Sequence, residues 1–445
     1  MASRLIIENA SVLTLDQNNN YHTNAIVIIE NGRFTQILPD GTHFESTSND
    51  QTIDATGKLL MPALVDLHFH TAIAKGWNDH LPLWEYLDEC WYPAIRALDK
   101  EAAYWAAMAS YMEAIKNGTG TVNDMYRQLD GLADAADEIG IRAVLSNDVA
   151  LGEFNLDTLE DNVAAFRKHN GRANGRIQVW FGIEWLPLAD LELLKQTRKL
   201  ANELGTGIHI HLNESISEID STIQRFHKRP TEVAHEAGIL GPDCVAAHCV
   251  HLSDNEIDLL AKSGTHISHN PASNAKLGNG IARLPEMIQA GINVGLGHDA
   301  AECSNFVDMF TVMKFASLIH RAARQTTDIG KPNDIIRMAT VNGQKALGHG
   351  HELGSIVEGF KADCILIEMK SAEFTPLIQG DLKHLTSHLV FSASGNCVDT
   401  TIIDGRIVMQ NRKMLTVNEE QVITEANKSF ARIKDKMKIL VREKN

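Results

Sequence analysis

A chain of 445 residues with 41 Lys+Arg against 57 Asp+Glu has a formal net charge of -16 and no basic cluster able to track a phosphate backbone, which argues against nucleic acid as a partner. No run approaches the ~18 apolar residues of a membrane span, and MASRLIIENASVLTLD lacks a signal-type apolar core. Six cysteines (Cys90, Cys244, Cys249, Cys303, Cys364, Cys397) without a CxxC pair read as free thiols, so a soluble cytoplasmic protein is expected.

In chain order, residues 1–60 hold short β-type runs: RLIIENASVLTL, then AIVIIENGRFTQIL with an Asn31-Gly32 hairpin signal, then TIDATGKLLMP. The same style returns in KADCILIEM and VDTTIIDGRIVMQNRKM, so residues 1–60 and 356–417 are expected to build one small β-sandwich domain from both chain ends. A final amphipathic segment over 418–445 reads as a helix on the outside. Between them, over 61–355, strand and helix signals alternate. Eight strand candidates occur in order: ALVDLHFH, TGTVNDMY, RAVLSNDV, IQVWFGIEW, TGIHIHLNE, CVAAHCVHL, THISHNPA and INVGLGHDA. Eight βα units in sequence predict an α/β fold, a (β/α)8 TIM barrel, with reactive groups at the C-terminal strand ends.

Those ends carry ligand-type residues. On a strand, side chains alternate faces, so His68 and His70 of LVDLHFH point the same way. The fifth strand carries His211 with Glu214 just past it, the sixth His248, and the eighth ends in Asp299. Imidazoles and a carboxylate from separate strand ends converging over a barrel mouth match a catalytic zinc site with a position open to water. His209 reads as barrel filling one layer deeper, and Glu214 reads as hanging over the metal from the loop, with a carboxylate at a helix N-terminus as the lesser alternative. His349 and His351 form a second HxH, but after the eighth unit, and read as a loop pair. HExxH, GxSxG and P-loop motifs are absent, as is a lysine on the fourth strand that could bridge two metals. A single ion is favoured, with Glu184 as the alternative bridging residue.

The segments MPALVDLHFH, IHIHLNES, VAAHCVHLSDNEIDLLAKSGTHISHNPASNAKLGNGIARLPEM, GLGHDAAECSN, MATVNGQKALG, LGSIVEGFKADCILIE and VFSASGNCVDTTIIDGRIVM together resemble the amidohydrolase superfamily. Within it they resemble the branch of atrazine chlorohydrolase, melamine deaminase and the methylthioadenosine/S-adenosylhomocysteine deaminases. The resemblance implies a metal held by His68, His70, His211 and Asp299, with Glu214 and His248 as the catalytic pair. It also implies one Zn²⁺ per subunit, with Fe²⁺ or Mn²⁺ as alternatives, and a homo-oligomer. In the chemistry such a site allows, Asp299 accepts a proton from the attacking water. His248 orients that water, and Glu214 protonates a ring nitrogen.

The substrate region departs from the branch's nucleoside deaminases. They keep a glutamate after the first strand, where this chain has Ala94 and Ile95 after Pro93. They keep a histidine after the fourth, near which this chain has Trp185. The leading expectation is therefore a metal-dependent aminohydrolase acting on an amino-substituted nitrogen heteroaromatic: a pyrimidine, triazine or pterin-like ring. The alternatives are nucleoside deamination and hydrolytic dechlorination or dealkylamination of an s-triazine. Trp77, Trp84 and Trp91 recur every seven residues, as a lid-helix face over a flat substrate or as ordinary core. Trp185, Glu302, Cys303 and Asn305 are candidate substrate contacts. His298, beside the last ligand, is expected to face away from Asp299 and to pack or to orient that ligand from behind.

Overall fold

The computed structural model describes residues 4–77 and 80–444, with the side chains of 438–444 left aside. Met1 to Ser3 of the expected first domain and Asn445 of the expected C-terminal segment lie outside the described residues.

Both chain ends enter one sheet. β1 (Leu5–Leu13), β2 (Tyr21–Glu30), β3 (Arg33–Leu38), β4 (Gln51–Asp54) and β5 (Lys58–Pro62) come from the start of the chain. The β2/β3 turn places Asn31 and Gly32 at φ 51° and 77°, the left-handed pair that a two-residue hairpin needs.

Next come the strands of the middle region: β6 (Leu64–His70), β7 (Thr119–Met125), β8 (Arg142–Ser146), β9 (Ile177–Val179), β10 (Phe181–Ile183), β11 (Ile208–Leu212), β12 (Cys244–His248), β13 (His266–His269), β14 (Val294–Leu296) and β15 (Asp299–Ala300). β16 (Cys364–Glu368), β17 (Val398–Ile403), β18 (Arg406–Gln410) and β19 (Lys413–Met414) complete the set.

β16 pairs antiparallel with β5 in the register Ile365 to Met61, which makes a nine-stranded sheet ordered β19-β18-β17-β16-β5-β1-β2-β3, with β4 on β1. Hydrogen bonding runs through this one sheet without a break, and its apolar residues Ile7, Val12, Val27, Phe34, Leu60, Leu366 and Ile402 share one core. β1 permits this by pairing with β4 at Leu5 to Glu8 and with β5 further on, at Ser11 and Val12.

All eight strand candidates of the middle region are present and pair in parallel. Two of them are interrupted: β9 and β10 are one strand broken at Trp180, and β14 and β15 one broken at Gly297 and His298. The order β6-β7-β8-β9, β10-β11-β12-β13-β14, then β15 back to β6 is cyclic. Gly297 sits at a crowded break, where a Cβ would meet Asn270 Oδ1 at 2.6 Å, Ser268 Oγ at 2.7 Å and His68 Cβ at 2.9 Å. Apart from half-buried Gln178 of β9, the ring strands are buried over their whole length, as parallel strands covered by helices must be.

The C-terminal segment is the helix Glu419–Lys444, anchored through Arg432 to Asp99 and Glu101 at the start of helix Lys100–Lys116. No helix among the described residues is long and apolar enough to cross a membrane. The six cysteines are buried, and none forms a disulfide among the described residues.

Candidate active site

β6 delivers two donors to the C-terminal mouth of the ring. His70 Nδ1 lies 2.6 Å from the Met125 carbonyl, so it carries the proton and leaves the Nε2 lone pair facing inward. That Nε2 is 3.2 Å from Nε2 of His68 and 3.1 Å from Nε2 of His211 on β11. His68 Nδ1 in turn bonds His209 Nε2 at 2.8 Å. Asp299 Oδ1 lies 3.5 Å and 3.4 Å from the same two nitrogens of His68 and His70.

Burial lowers the pKa of His68, His70 and His211, so these imidazoles are neutral. Lone pairs of three imidazoles converging on a carboxylate oxygen repel one another without a divalent cation and fit one. The candidate ligand atoms of His68, His70 and His211, and again those of His68, His248 and Asp299, lie within 4.8 Å of one another.

His248 ends β12 and Glu214 comes just after β11. His248 donates from Nδ1 to Asn274 Oδ1 at 2.9 Å, and its Nε2 lies 3.9 Å from Asp299 Oδ2. Glu214 Oε1 accepts from Asn279 at 2.9 Å and stands 3.7 Å from His248 Nδ1. Burial, then the charge of Asp299, pushes the Glu214 pKa well above the usual carboxyl range. Burial works against ionisation of Asp299 too, but the facing imidazoles of His248 and His70 and the Ser273 hydroxyl, at 2.5 Å, hold it low.

The local backbone is strained in register with the site: Asn213, His248 and Asp299 all have left-handed φ, at 52°, 70° and 75°. The buried Glu218 carboxylate accepts from the backbone N–H groups of Asn213 and Glu214, fixing the turn that aims Glu214.

A cavity opens above this centre. Its wall includes Tyr86, Trp91, Tyr92, Glu184, Trp185 and Cys303. Of the residues expected to touch substrate, Trp91, Trp185 and Cys303 lie on that wall; Trp77, Trp84, Glu302 and Asn305 do not. Trp77 precedes the lid helix and packs edge-on against Phe430 of the C-terminal helix. Trp84 and Trp91 diverge because a π turn, Leu87–Trp91, interrupts the lid. An extra residue per turn rotates the residues beyond it by roughly 100°, so a seven-residue spacing no longer gives one face. Trp84 packs on the outer side of Trp185 at 4.6 Å.

Glu302 turns toward the loop after β6 and accepts from the backbone of Ile73 and Ala74 at 2.8 and 2.6 Å, and Asn305 Oδ1 accepts from Gly76. Both are loop braces. His298 faces away from Asp299, its Nδ1 2.6 Å from Asp66 Oδ2 while its backbone N–H reaches Asp66 Oδ1. Burial opposes its protonation, yet the Asp66 carboxylate raises its pKa. The His298–Asp66 pair thus joins the last strand to the first. His349 and His351 line a surface cleft with Trp180 and Asp243, at the opposite, N-terminal ends of the strands.

Sequence reading missed His209 as a partner of His68, and the polar groups Ser273, Asn274 and Asn279 behind Asp299, His248 and Glu214. The HIH spacing of His209 and His211 was the available signal for the first; the asparagines and serine cluster in NPASNAKLGN.

The fold and the centre define a metal-dependent hydrolase whose chemistry sits on parallel strand ends. The model of the amidohydrolase family matches residues 59–408, and the chain belongs to that family, as a hydrolase acting on carbon–nitrogen bonds. It is 39% identical to 5'-deoxyadenosine deaminase of Methanobrevibacter smithii, covering 93% of this chain and 94% of that one. It is 37% identical to 5-methylthioadenosine/S-adenosylhomocysteine deaminase of Acetivibrio thermocellus, covering 94% and 96%. Among solved structures it is similar to an adenosine deaminase from Xanthomonas campestris with bound zinc (TM-score 0.89, 24% identity, 97% and 99% covered). It is also similar to atrazine chlorohydrolase from Arthrobacter aurescens TC1 complexed with zinc (TM-score 0.87, 19% identity, 96% and 100% covered).

Proposed function

We propose that this chain is a zinc-dependent deaminase of adenosine-type nucleosides, replacing the 6-amino group of the purine by oxygen and releasing ammonia. The observation that carries the reading is the convergence of His68, His70, His211 and Asp299 beside Glu214 and His248. The full-length similarity to deaminases of adenosine derivatives favours the nucleoside alternative over the pyrimidine, triazine or pterin-like ring that leads on sequence grounds. Two absent contacts, the branch's glutamate and histidine, weigh less than similarity along the whole chain.

His68, His70, His211 and Asp299 would hold the cation; iron and manganese suit the same donors. Bound there, a zinc ion lowers the pKa of a water from about 15.7 to about 7. Asp299, aimed by the Ser273 hydroxyl, would accept the proton of the attacking water. His248, its Nδ1 fixed on Asn274, keeps Nε2 directed at the reacting side of the cavity. Glu214, neutral in its buried setting, donates to the ring nitrogen next to the amino-bearing carbon and so makes that carbon electrophilic. The proton gathered by Asp299 then goes to the leaving nitrogen, and as the C–N bond breaks the added hydroxyl returns its remaining proton to Glu214, leaving the oxo product protonated at the ring nitrogen. Trp91 and Trp185 cover the flat base and exclude bulk water.

The test is ammonia release from metal-quantified protein across 5'-deoxyadenosine, methylthioadenosine, adenosine, aminopyrimidines, pterins and triazines. The highest kcat/KM is expected with the nucleosides; turnover confined to free heterocycles would sink the reading.

A further inference from the structure

The loop that follows the two histidines of β6 has neither helix nor strand over residues 71–77, so its backbone donors need partners elsewhere. They find side chains. Thr71 N–H donates to Asp124 Oδ1 of β7 at 3.1 Å, and Ala72 N–H to Ser110 Oγ of helix Lys100–Lys116 at 3.0 Å. Ile73 and Ala74 both donate to Glu302 Oε1, at 2.8 and 2.6 Å, and Gly76 donates to Asn305 Oδ1 at 3.2 Å. Cys303, between those two acceptors, places its Sγ 3.6 Å from the Tyr86 hydroxyl of the lid, and both residues line the cavity. Glu302, Cys303 and Asn305 thus hold the loop after β6 and the lid together.

Their own support is firm. Lys276 Nζ donates to the Glu302 carbonyl at 2.8 Å, and Ser304 Oγ bonds the Ala300 and Phe306 carbonyls at 3.1 and 3.0 Å. Burial pushes the Glu302 pKa up to about 7, and an ionised or a neutral carboxyl can accept alike through Oε1.

Two chain segments therefore leave the metal centre side by side. One starts at His70 and the other at Asp299, where β15 pairs with β6, Asp299 against Phe69 and Ala300 against His70. A cation held by both side chains fastens the segments at their base. The hydrogen bonds of Glu302 and Asn305 close the same two segments further out. Fixing the base raises the effective concentration of the groups beyond it, and the coupling is reciprocal: what the cation lends the loop, the loop lends the cation.

We infer that Glu302 is a positioning residue that ties the substrate-side loop to the metal centre, holding residues 73–76 beside Cys303 and Asn305, and holding them more firmly when His70 and Asp299 share a cation. The inference rests on the metal-binding part of the proposed function and needs no particular substrate. The cation then organises a wall of the cavity as well as the attacking water.

The experiment follows deuterium uptake by mass spectrometry in the peptide covering residues 71–77, in metal-free and zinc-loaded protein, for the wild type, Glu302→Ala and Glu302→Gln. Zinc affinity is measured in each by chelator competition. Zinc is expected to slow exchange in this peptide at least about 5-fold in the wild type. Glu302→Ala should narrow that gap to within about 2-fold and weaken zinc binding by a similar factor of about 5. Glu302→Gln, which keeps an oxygen on the same arm, should restore both; a brace that served only the fold would not answer to zinc. The peptide covering residues 21–38 of the terminal sheet is the reference and should exchange alike throughout. A variant that loosens the reference has lost its fold, and the wild-type comparison alone then decides. Wild-type exchange indifferent to zinc overturns the inference and leaves the metal centre standing, as does a Glu302→Ala protein that keeps both the gap and the affinity. Wild-type protein that binds no zinc overturns both.

Discussion

The two sides of the cavity are built differently. On the side of β6, β11, β12 and β15, side chains of the working residues are held by other side chains: His68 by His209, His248 by Asn274, Glu214 by Asn279, Asp299 by Ser273. On the side of the lid and β10, the Tyr92 hydroxyl and the Trp185 ring N–H, both of residues on the cavity wall, lie near Glu184 and Glu218 without an aligned hydrogen bond. The first side is organised before any substrate arrives, as electrostatic catalysis demands. The second leaves polar groups for a substrate to satisfy, as discrimination demands. On the proposed function, chemistry and substrate selection would then fall to different strands.

Variants of the organised side test that division most severely. Asp299→Ala or His211→Ala should cut bound metal and turnover to below about one-hundredth of wild type, by metal analysis and ammonia assay. Full turnover in either breaks the comparison outright. Glu214→Gln should keep its metal and lose about 10²- to 10⁴-fold in kcat; loss of metal instead would put Glu214 among the ligands. One layer further back, His209→Leu takes the acceptor from His68 Nδ1. Metal affinity should fall about 10- to 100-fold by chelator competition, and an unchanged affinity would return His209 to barrel filling.

Legibility in the sequence divides along the same line. Strand alternation alone put His68 and His70 on one face, and the repeat of βα units put Glu214, His248 and Asp299 at one end of the molecule. Both signals are periodic, and periodicity survives in a linear reading. The selective side gave no such signal. The π turn at Leu87–Trp91 undoes the tryptophan spacing, and no local pattern announces it. Glu302 and Asn305 looked like substrate contacts because they come soon after Asp299, yet the short helix Ala301–Ser304 turns them to the loop after β6. His298 was readable as facing away, but its partner Asp66 is 232 residues off in sequence. Contacts of that range are set by ring closure, and only the folded chain reveals them.

The smallest expected effect concerns what steadies the selective side. Trp77, in the loop after β6, packs on Phe430 of the C-terminal helix, with Lys434 5.1 Å over its ring. That helix is tied down by Arg432 and Lys436 on Asp99. Burial works against ionisation of Asp99, but donors from Arg432, Ala102 and Lys436 pull its pKa down to about 2. A carboxyl depressed by folding contributes its full stability above the unfolded value of about 3.9 and loses it as pH falls through the folded value. These side chains are about two-fifths exposed, so the contribution is small. Arg432→Ala should therefore leave metal content unchanged, raise KM by less than about 3-fold, and lower the melting temperature slightly at neutral pH. The melting difference from wild type should shrink between pH ~4 and pH ~2. A difference that persists undiminished at pH ~2 would mean that the arginine works through packing alone. A fall in bound metal would mean that the organised side, too, leans on this helix, and the separation between the two sides of the cavity would fail there.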